Sequence, residues 1–191
     1  YDTMQGVIGY VSDTRHSLKE KGVRYEEVPL KDNAYDLEGM AAVCKEKAPK
    51  VVLIQRSRGY SSRATLTIDD IRTIVKTVKK ASPQTICFVD NCYGEFVEEK
   101  EPSEVGADMI VGSLIKNPGG GLAPIGGYIC GRSDLIEQCA YRLTTPGLGK
   151  EVGASLGVNR QFIQGFFMAP TVVNAAVKGC LLYTSPSPRD S

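Results

Sequence analysis

The sequence has very little histidine and no paired cysteines. His16 is the single histidine, so catalytic triads and metal sites that depend on imidazole have almost no material. The six cysteines are scattered along the chain without a Cys-x-x-Cys pair, which is typical of reduced core residues in a cytosolic protein. We therefore predict no metal site, no disulfide framework and a cytoplasmic location.

Charge of one sign and long apolar runs are also scarce. With 23 Lys and Arg against 22 Asp and Glu, the formal net charge is +1, which gives no bulk attraction to nucleic acid or to an acidic membrane surface. The sequence shows no uninterrupted apolar stretch of about 18 residues and no signal-peptide pattern, so we predict neither a membrane span nor secretion. The chain begins at Tyr1 rather than at methionine, from which we expect a piece of a longer protein.

What the sequence does contain is an alternation of short apolar runs with helical patterns. A continuous apolar run is typical of a strand buried on both faces, and apolar residues at i, i+3, i+4 and i+7 are typical of one face of a helix. The predicted strands are residues 51–54, 85–89, a run that ends at Gly112, and 127–130, with helices between them. This order predicts an α/β fold with a mostly parallel sheet flanked by helices.

Two further segments have less regular patterns. Residues 23–30 are rich in β-formers and contain Pro29, which fits a strand end or a sheet edge. Residues 180–191 contain several Ser and Pro residues, so we predict a tail that is disordered or foreign to the domain.

Three side chains with different chemistry stand at or just beyond the ends of two neighbouring predicted strands. Asp90 follows one strand, while Ser113 and Lys116 follow the next. Pyridoxal phosphate needs a lysine amine for its Schiff base, a carboxylate paired with its pyridinium nitrogen, and hydroxyl or backbone donors for its phosphate. Because ligands bind beyond the carboxyl ends of parallel strands, these residues are a candidate site for this cofactor.

Other interpretations of the same residues exist. Lys116 could be a solvated lysine in a flexible loop, and Asp90 and Ser113 could satisfy only their own backbone. The glycines at 119–121 could serve a turn with positive φ or the close approach of a ligand. Residues 113–116 also fit the Ser-x-x-Lys pattern of serine acyl enzymes, but no Lys-Thr-Gly or Ser-Asp-Asn element accompanies it. The placement at consecutive strand ends favours the cofactor.

Three segments carry a resemblance to a known family. They are Gln-Arg-Ser-Arg-Gly-Tyr at 55–60, Phe-Val-Asp-Asn-Cys-Tyr-Gly-Glu at 88–95, and the run from Ser113 through the glycines to Gly127. Over residues 1–179 the sequence closely resembles the methionine gamma-lyase-like, aluminium resistance branch of the fold-type-I pyridoxal-phosphate enzymes.

The resemblance implies roles for the three site residues. Lys116 would be the Schiff-base lysine, Asp90 the partner of the pyridine nitrogen, and Ser113 a phosphate ligand. Residues 1–179 would form an incomplete, aminotransferase-like large domain that binds pyridoxal phosphate. In that family the phosphate loop and the stacking aromatic come from earlier sequence and a small domain follows, so the fragment is expected to be inactive alone. Full-length members would form dimers or tetramers.

The expected activity of the parent protein is a C–S lyase reaction on a sulfur amino acid. The alternatives are another pyridoxal-phosphate reaction on the same fold, either β-elimination or transamination, and a non-enzymatic binding or regulatory module. Lys116 would also act as general base, with a pKa lowered by burial and by the cationic cofactor. In the donor-rich loop after residue 54, Arg58, Tyr60 and Arg63 are predicted to contact the substrate carboxylate or the cofactor, unless the loop is merely solvated.

Overall fold

The fold is given by a computed structural model that describes residues 2–11 and 15–185. Within those residues the helices are α1 (Asp2–Ile8), α2 (Leu37–Lys47), α3 (Ile68–Ala81), α4 (Ser133–Leu143) and α5 (Asn159–Thr184). The strands are β1 (Leu30–Lys31), β2 (Ala34–Tyr35), β3 (Val51–Gln55), β4 (Ile86–Asp90), β5 (Met109–Ser113) and β6 (Gly127–Gly131). Single 3-10 turns occupy Lys19–Lys21, Pro102–Val105, Asn117–Gly119 and Gly149–Glu151. This is an α/β fold, as predicted.

The main sheet is mixed rather than mostly parallel. Its strand order is β3-β4-β5-β6, in which β3, β4 and β5 run parallel and β6 runs antiparallel to β5. The chain leaves β5 at Ser113, curls through the turn Asn117–Gly119 and enters β6 from the same edge of the sheet, where Ser113 pairs with Gly127. Because no helix crosses back to the opposite edge, β6 has to run in reverse, which corrects the prediction for this strand.

Helix α3 covers the sheet and provides much of the core. Its start is fixed by a capping box, in which the Thr67 hydroxyl accepts from the Asp70 backbone N–H and the Asp70 carboxylate accepts from the Thr67 backbone N–H. Its apolar face is buried against β3, β4 and β5, as the helical period predicts; the members of this face are Ile71, Ile74, Val75 and Val78. This packing holds the three parallel strands in place.

Strand β3 is not buried on both faces, contrary to the expectation for a continuous apolar run. Ile54 is 1% exposed, whereas Val51 is 46% and Leu53 37% exposed. The strand lies at the edge of the four-stranded sheet, and its outer face has no covering element among the described residues. This part of the sheet surface is therefore apolar and accessible.

Two end segments also differ from prediction. Residues 23–29 belong to no strand, and pairing begins only with the two-residue strand β1, which contacts β2. At the other end, α5 continues through Thr184, so residues 180–184 are helical, while a tail foreign to the domain stays a prediction. The remainder of the predicted tail, residues 186–191, lies outside the described residues.

Helix α5 is long and apolar. Its 26 residues include a window of mean hydropathy 1.4, so by length and composition it could cross a membrane, which the sequence expectation excluded. Only 17% of that window is buried. The buried positions Gly165, Ala169 and Val173 form one face of the helix, and through Gly165 this face packs against the turn Asn117–Gly119. Length and hydropathy alone do not separate a membrane span from a helix that packs on protein.

Candidate active site

The carboxyl ends of β3, β4 and β5 lie along one edge of the sheet. Since the three strands are parallel, Gln55, Asp90 and Ser113, which are their last residues, all face this edge. Asp90 is in register with Gln55 on one side and with Val111 on the other. The predicted convergence of residues at this edge is confirmed, because the strand order brings together groups that are far apart in sequence.

Asp90 is held by backbone on both sides. Its carboxylate oxygen Oδ1 accepts the backbone N–H of Cys92 at 3.1 Å, and its carbonyl oxygen accepts the backbone N–H of Arg56 at 2.9 Å. The side chain is half-buried. Asp90 therefore presents a carboxylate of fixed orientation at the end of β4.

Lys116 stands three residues beyond β5, at the start of the turn Asn117–Gly119. Its backbone N–H donates to the carbonyl of Ser113 at 3.3 Å, which curls the chain back over the strand end. Its Nζ lies 4.6 Å from the centre of the Tyr93 ring, and the Cys92 thiol is close enough to Lys116 and Asp90 for both to influence its pKa. The structure thus brings Lys116 and Asp90 to the same small site, with Cys92 between them.

The pKa of Lys116 is raised in this structure, whereas the lowered pKa expected for it requires the cationic cofactor as a neighbour. Burial lowers the pKa as expected, but the hydrogen bond and charge of Cys92, together with Tyr93 and Asp90, outweigh it. Burial also raises the pKa of the Cys92 thiol.

Ser113 and the glycine-rich turn complete the described part of the site. Ser113 is half-buried at the last rung of the β5–β6 ladder, opposite Gly127. A Cβ added at Gly119 would lie 1.8 Å from the Leu114 carbonyl oxygen, and one at Gly120, where φ is +53°, would lie 2.2 Å from the Gly165 carbonyl oxygen. These two glycines allow the turn to close on itself and on α5, so their close approach is to protein backbone.

The three predicted substrate contacts are in different surroundings. Arg58 and Tyr60 lie in the loop after β3 with exposed side chains, and Tyr60 contacts almost nothing, at 110% exposure. Arg63 is buried and donates to the carbonyls of Ala64 and Gln55, each at 2.8 Å, and to that of Ser57. Arg63 therefore holds its own loop together, while Arg58 and Tyr60 remain predictions.

Sequence reasoning missed the buried arginine of the same loop. Arg56 is 2% exposed and donates to the Asn91 side chain at 2.8 Å and to the Glu98 carboxylate at 2.6 Å. A Cβ at Gly94 would lie 2.3 Å from its Nη1 atom, so the absence of a side chain there makes room for the guanidinium. Arg56 ties the loop after β3 to the loop after Asp90. The sequence contains one signal for Arg56, which is its position directly after a predicted strand, where other polar residues of the site also stand.

A second buried carboxylate, Glu95, was also missed. It is 5% exposed, and its Oε1 accepts from the Tyr128 hydroxyl at 2.6 Å. Its backbone carbonyl accepts from the Asn117 side chain at 2.9 Å, next to Lys116. Glu95 lies in the segment quoted for the family resemblance, but nothing in the sequence links it to Tyr128.

The residues present fit pyridoxal phosphate. The amine of Lys116, the carboxylate of Asp90 and the hydroxyl of Ser113 lie at neighbouring strand ends. These are the groups that the aldehyde, the ring nitrogen and the phosphate of the cofactor need, in that order. Within residues 2–11 and 15–185, no group of three or more His, Cys, Asp or Glu side chains could hold a metal ion.

Comparison with known sequences gives one family. The sequence model of the family described as methionine gamma-lyase matches residues 1–186. A 33.9 kDa protein encoded in the glnA 5′ region of Lactobacillus delbrueckii subsp. bulgaricus is 50% identical over 182 residues. The match covers 95% of this chain and 60% of that protein.

Solved structures give close matches as well. A protein of Clostridium novyi NT, described as a carbon-sulfur lyase involved in aluminium resistance, superposes with a TM-score of 0.89 at 50% identity, over 95% of this chain and 44% of that one. A Clostridium acetobutylicum protein, described as a candidate cystathionine beta-lyase involved in aluminium resistance, gives 0.90 at 48% identity over the same shares. This chain spans less than half the length of either structure.

A more distant match shows the fold alone. The pyridoxal-5′-phosphate-dependent protein YhfS of Escherichia coli is 18% identical and superposes with a TM-score of 0.59 over 90% of this chain. The arrangement of strands and helices described above therefore also occurs in that protein.

Proposed function

Because this chain belongs to the methionine gamma-lyase family, we propose that it forms part of the cofactor domain of a pyridoxal-phosphate-dependent C–S lyase that acts on a sulfur amino acid. The observation that carries the proposal is the meeting of Asp90, Ser113 and Lys116 at one edge of the sheet. The description of the Clostridium novyi relative as a carbon-sulfur lyase supports the reaction class.

Each of the three residues has one task in this proposal. Lys116 holds the cofactor through Nζ, Asp90 keeps a proton on the ring nitrogen by its negative charge, and Ser113 donates to the phosphate. When bound, the cofactor withdraws electrons from the substrate's α-carbon. Lys116, with its amine free beside the substrate, would accept the α-proton and return it later, as a general base close to the reacting atoms.

The proposed scaffold is a fold-type-I large domain that functions as a homo-oligomer, a dimer or a tetramer. The exposed apolar side chains of β3 and α5 support assembly, because large accessible apolar surfaces usually mark contact sites; Leu53 is 37%, Ile163 72% and Phe167 82% exposed. We propose a cytoplasmic location and expect this chain alone to be inactive. The substrate is a small amino acid, and we propose no nucleic-acid or membrane partner.

A second candidate reaction is β-elimination. It is favoured by the description of the Clostridium acetobutylicum relative as a candidate cystathionine beta-lyase. The two eliminations differ in which C–S bond breaks and in the 2-keto acid that is released. Both require the same roles for Lys116 and Asp90, so the site geometry is compatible with either, and product analysis separates them.

The test is product formation by the full-length protein that contains this chain, supplied with pyridoxal phosphate. Methionine and cystathionine are offered separately, and 2-keto acid and free thiol are measured with and without an amino acceptor. We expect both products without the acceptor, and Lys116→Ala should lower the rate by about a thousandfold or more. Lys76→Ala, at an exposed position of α3, is the matched control and should leave the rate unchanged.

Two results would contradict the proposal. One is full activity of the Lys116→Ala variant. The other is product that forms only when an amino acceptor is present, since this indicates transamination rather than elimination.

A further inference from the structure

Glu95 is a buried carboxylate with half of its hydrogen-bonding capacity unused. It is 5% exposed, and its Oε1 accepts from the Tyr128 hydroxyl at 2.6 Å. Among the described residues its other oxygen, Oε2, has no hydrogen-bond partner. A buried carboxylate oxygen without a partner is costly when it carries charge, and much less costly when the group carries a proton.

The carboxyl group lies against the backbone of β5. A Cβ added at Gly112 would lie 2.5 Å from Glu95 Oε1 and 2.4 Å from the Tyr128 ring. Gly112 directly precedes Ser113 and pairs with Tyr128 in the β5–β6 ladder. Any side chain at this strand position would displace the Glu95 carboxyl group, so the sequence leaves room for it one residue before the site.

The backbone of Glu95 contacts the other side of the site. Its carbonyl accepts from the Asn117 side chain at 2.9 Å, beside Lys116. The loop that carries Glu95 begins directly after Asp90 and has positive φ at Tyr93, +68°, and at Phe96, +61°. Non-glycine residues adopt such φ values only when surrounding contacts hold them there. Glu95 provides two of these contacts, one through its side chain and one through its carbonyl.

We propose that Glu95 is a positioning residue, whose buried carboxyl group holds the loop after Asp90 against β6 and the Lys116 turn. This inference rests on the proposed function, because it matters for catalysis only if Lys116 and Asp90 act together. Glu95 itself contacts Tyr128, Asn117 and the β5 backbone and acts through Lys116, so it is not a catalytic residue.

The charges around Glu95 determine when it carries its proton. The net pKa of Glu95 is raised, mainly because the carboxyl group is buried and in small part because of the charge of Glu101. The hydrogen bond from Tyr128 and the charge of Arg56 act in the opposite direction. Cys130, on β6, has a raised pKa in turn, due mainly to burial and partly to Glu95 and Glu101. Because the folded-state pKa is raised, the protonated group stabilises the folded state at low pH, and this contribution is lost as pH rises through the folded-state pKa.

This predicts a pH-dependent contact between the two loops. Below its raised pKa, Glu95 is neutral and the loop stays closed over Lys116. Above this pKa, the buried Oε2 carries charge without a hydrogen-bond partner, which favours opening of the loop and exposure of the Lys116 amine. A residue with a purely structural role would not link the reactivity of Lys116 to its own ionisation.

The experiment is competitive labelling of lysines by acetic anhydride on the 191-residue chain, without cofactor, across the pH range in which circular dichroism shows the chain folded. Mass spectrometry gives the labelling of Lys116 relative to the exposed Lys31. In the wild type we expect this ratio to rise about threefold with pH beyond the change that Lys116's own ionisation produces. In Glu95→Gln, which has the same shape and never ionises, the additional rise should vanish and the ratio should follow only the ionisation of Lys116 itself.

Two further variants and a control complete the test. Tyr128→Phe removes the hydrogen-bond donor, and Glu95→Ala removes the carboxyl group; both should show the high ratio at every pH. Glu137→Gln, at an exposed position of α4, should behave as wild type. If Glu95→Ala does not fold, as judged by circular dichroism, Tyr128→Phe carries the same prediction.

Three outcomes would overturn the inference. The additional rise in Lys116 labelling could persist in Glu95→Gln, or the wild type could show no additional rise. The third is a low labelling ratio of Lys116 to Lys31 in Tyr128→Phe. Since labelling needs no cofactor and no turnover, these outcomes are independent of the product assay. If no product forms but the labelling follows the prediction, the proposed lyase function is rejected. The inferred contact of Glu95 with the Lys116 turn then still holds.

Discussion

The three arginines of the loop after β3 differ in what their guanidinium groups contact. Arg56 binds carboxylate and amide oxygens of the loop after Asp90, Arg63 binds backbone carbonyls of its own loop, and Arg58 is exposed. Only Arg58 keeps its donors accessible to a small molecule. In this loop, the role of an arginine therefore depends on its burial and its hydrogen-bond partners more than on its position in the sequence.

A substitution pair tests this distinction. Arg63→Met leaves carbonyl oxygens of Gln55, Ser57 and Ala64 without their donor, and we expect it to lower the free energy of unfolding by about 2 kcal/mol. Arg58→Met, at an exposed site, should change it by less than about 0.5 kcal/mol. Urea denaturation of the chain measures both. Equal stability of the two variants would show that Arg63 does not hold the loop.

At the residue scale, the sequence predicted the strand-end placement but not the contacts. Asp90 and Lys116 could be placed because each follows a continuous apolar run, which is a local pattern. The position of Cys92 between them depends on how two loops meet. The bond from Tyr128 to Glu95 joins residues 33 apart and depends on the reversed direction of β6, which the local pattern does not contain.

At the element scale, α5 fixes the Lys116 turn by backbone contact. A Cβ added at Gly165 would lie 2.2 Å from the Gly119 carbonyl oxygen, so the helix and the turn meet without side chains between them. The Phe166 ring packs edge-on against Phe96, with centroids 5.6 Å apart, and Phe96 belongs to the loop after Asp90. Helix α5 therefore contacts both loops that carry the site.

Two glycines of the same helix provide a test with a matched control. Gly165→Ala forces α5 away from the turn, and we expect a loss of about 2 kcal/mol of stability, together with faster amide exchange at residues 117–120. Gly179→Ala, whose Cβ would meet nothing within 4 Å, should be neutral or slightly stabilising. Hydrogen exchange and thermal unfolding measure the pair. Unchanged exchange in Gly165→Ala would show that α5 does not hold the turn.

The elements that were predicted well are those whose signals are local. Helix α3 has a capping box and a full apolar stripe, and the parallel strands are short apolar runs with polar ends. The direction of β6 depends on the path of residues 114–126, and the extent of α5 was underestimated because the Ser and Pro residues after 184 dominated the composition of the tail. Residues 23–29 have β-formers but no neighbouring strand to pair with.

At the scale of the whole molecule, the sheet and α5 leave accessible apolar surface next to the site. The outer face of β3 is open, and residues of α5 beside the turn, including Ile163 and Phe167, are exposed. A shallow apolar cavity of about 300 Å³ lies between α5 and the turn Asn117–Gly119; its lining includes Leu114, Pro118 and Phe162. These surfaces are consistent with our proposal that the complete enzyme is an oligomer, in which further chain covers them.

The most direct test of the central claim is to identify the lysine that holds the cofactor. The full-length protein is incubated with pyridoxal phosphate, reduced with borohydride and digested, and mass spectrometry locates the trapped cofactor. We expect the label on Lys116 and its loss in Lys116→Arg, which keeps the positive charge but cannot form the bond. A label on another lysine, or none above the background of exposed lysines, would contradict the assignment of this site.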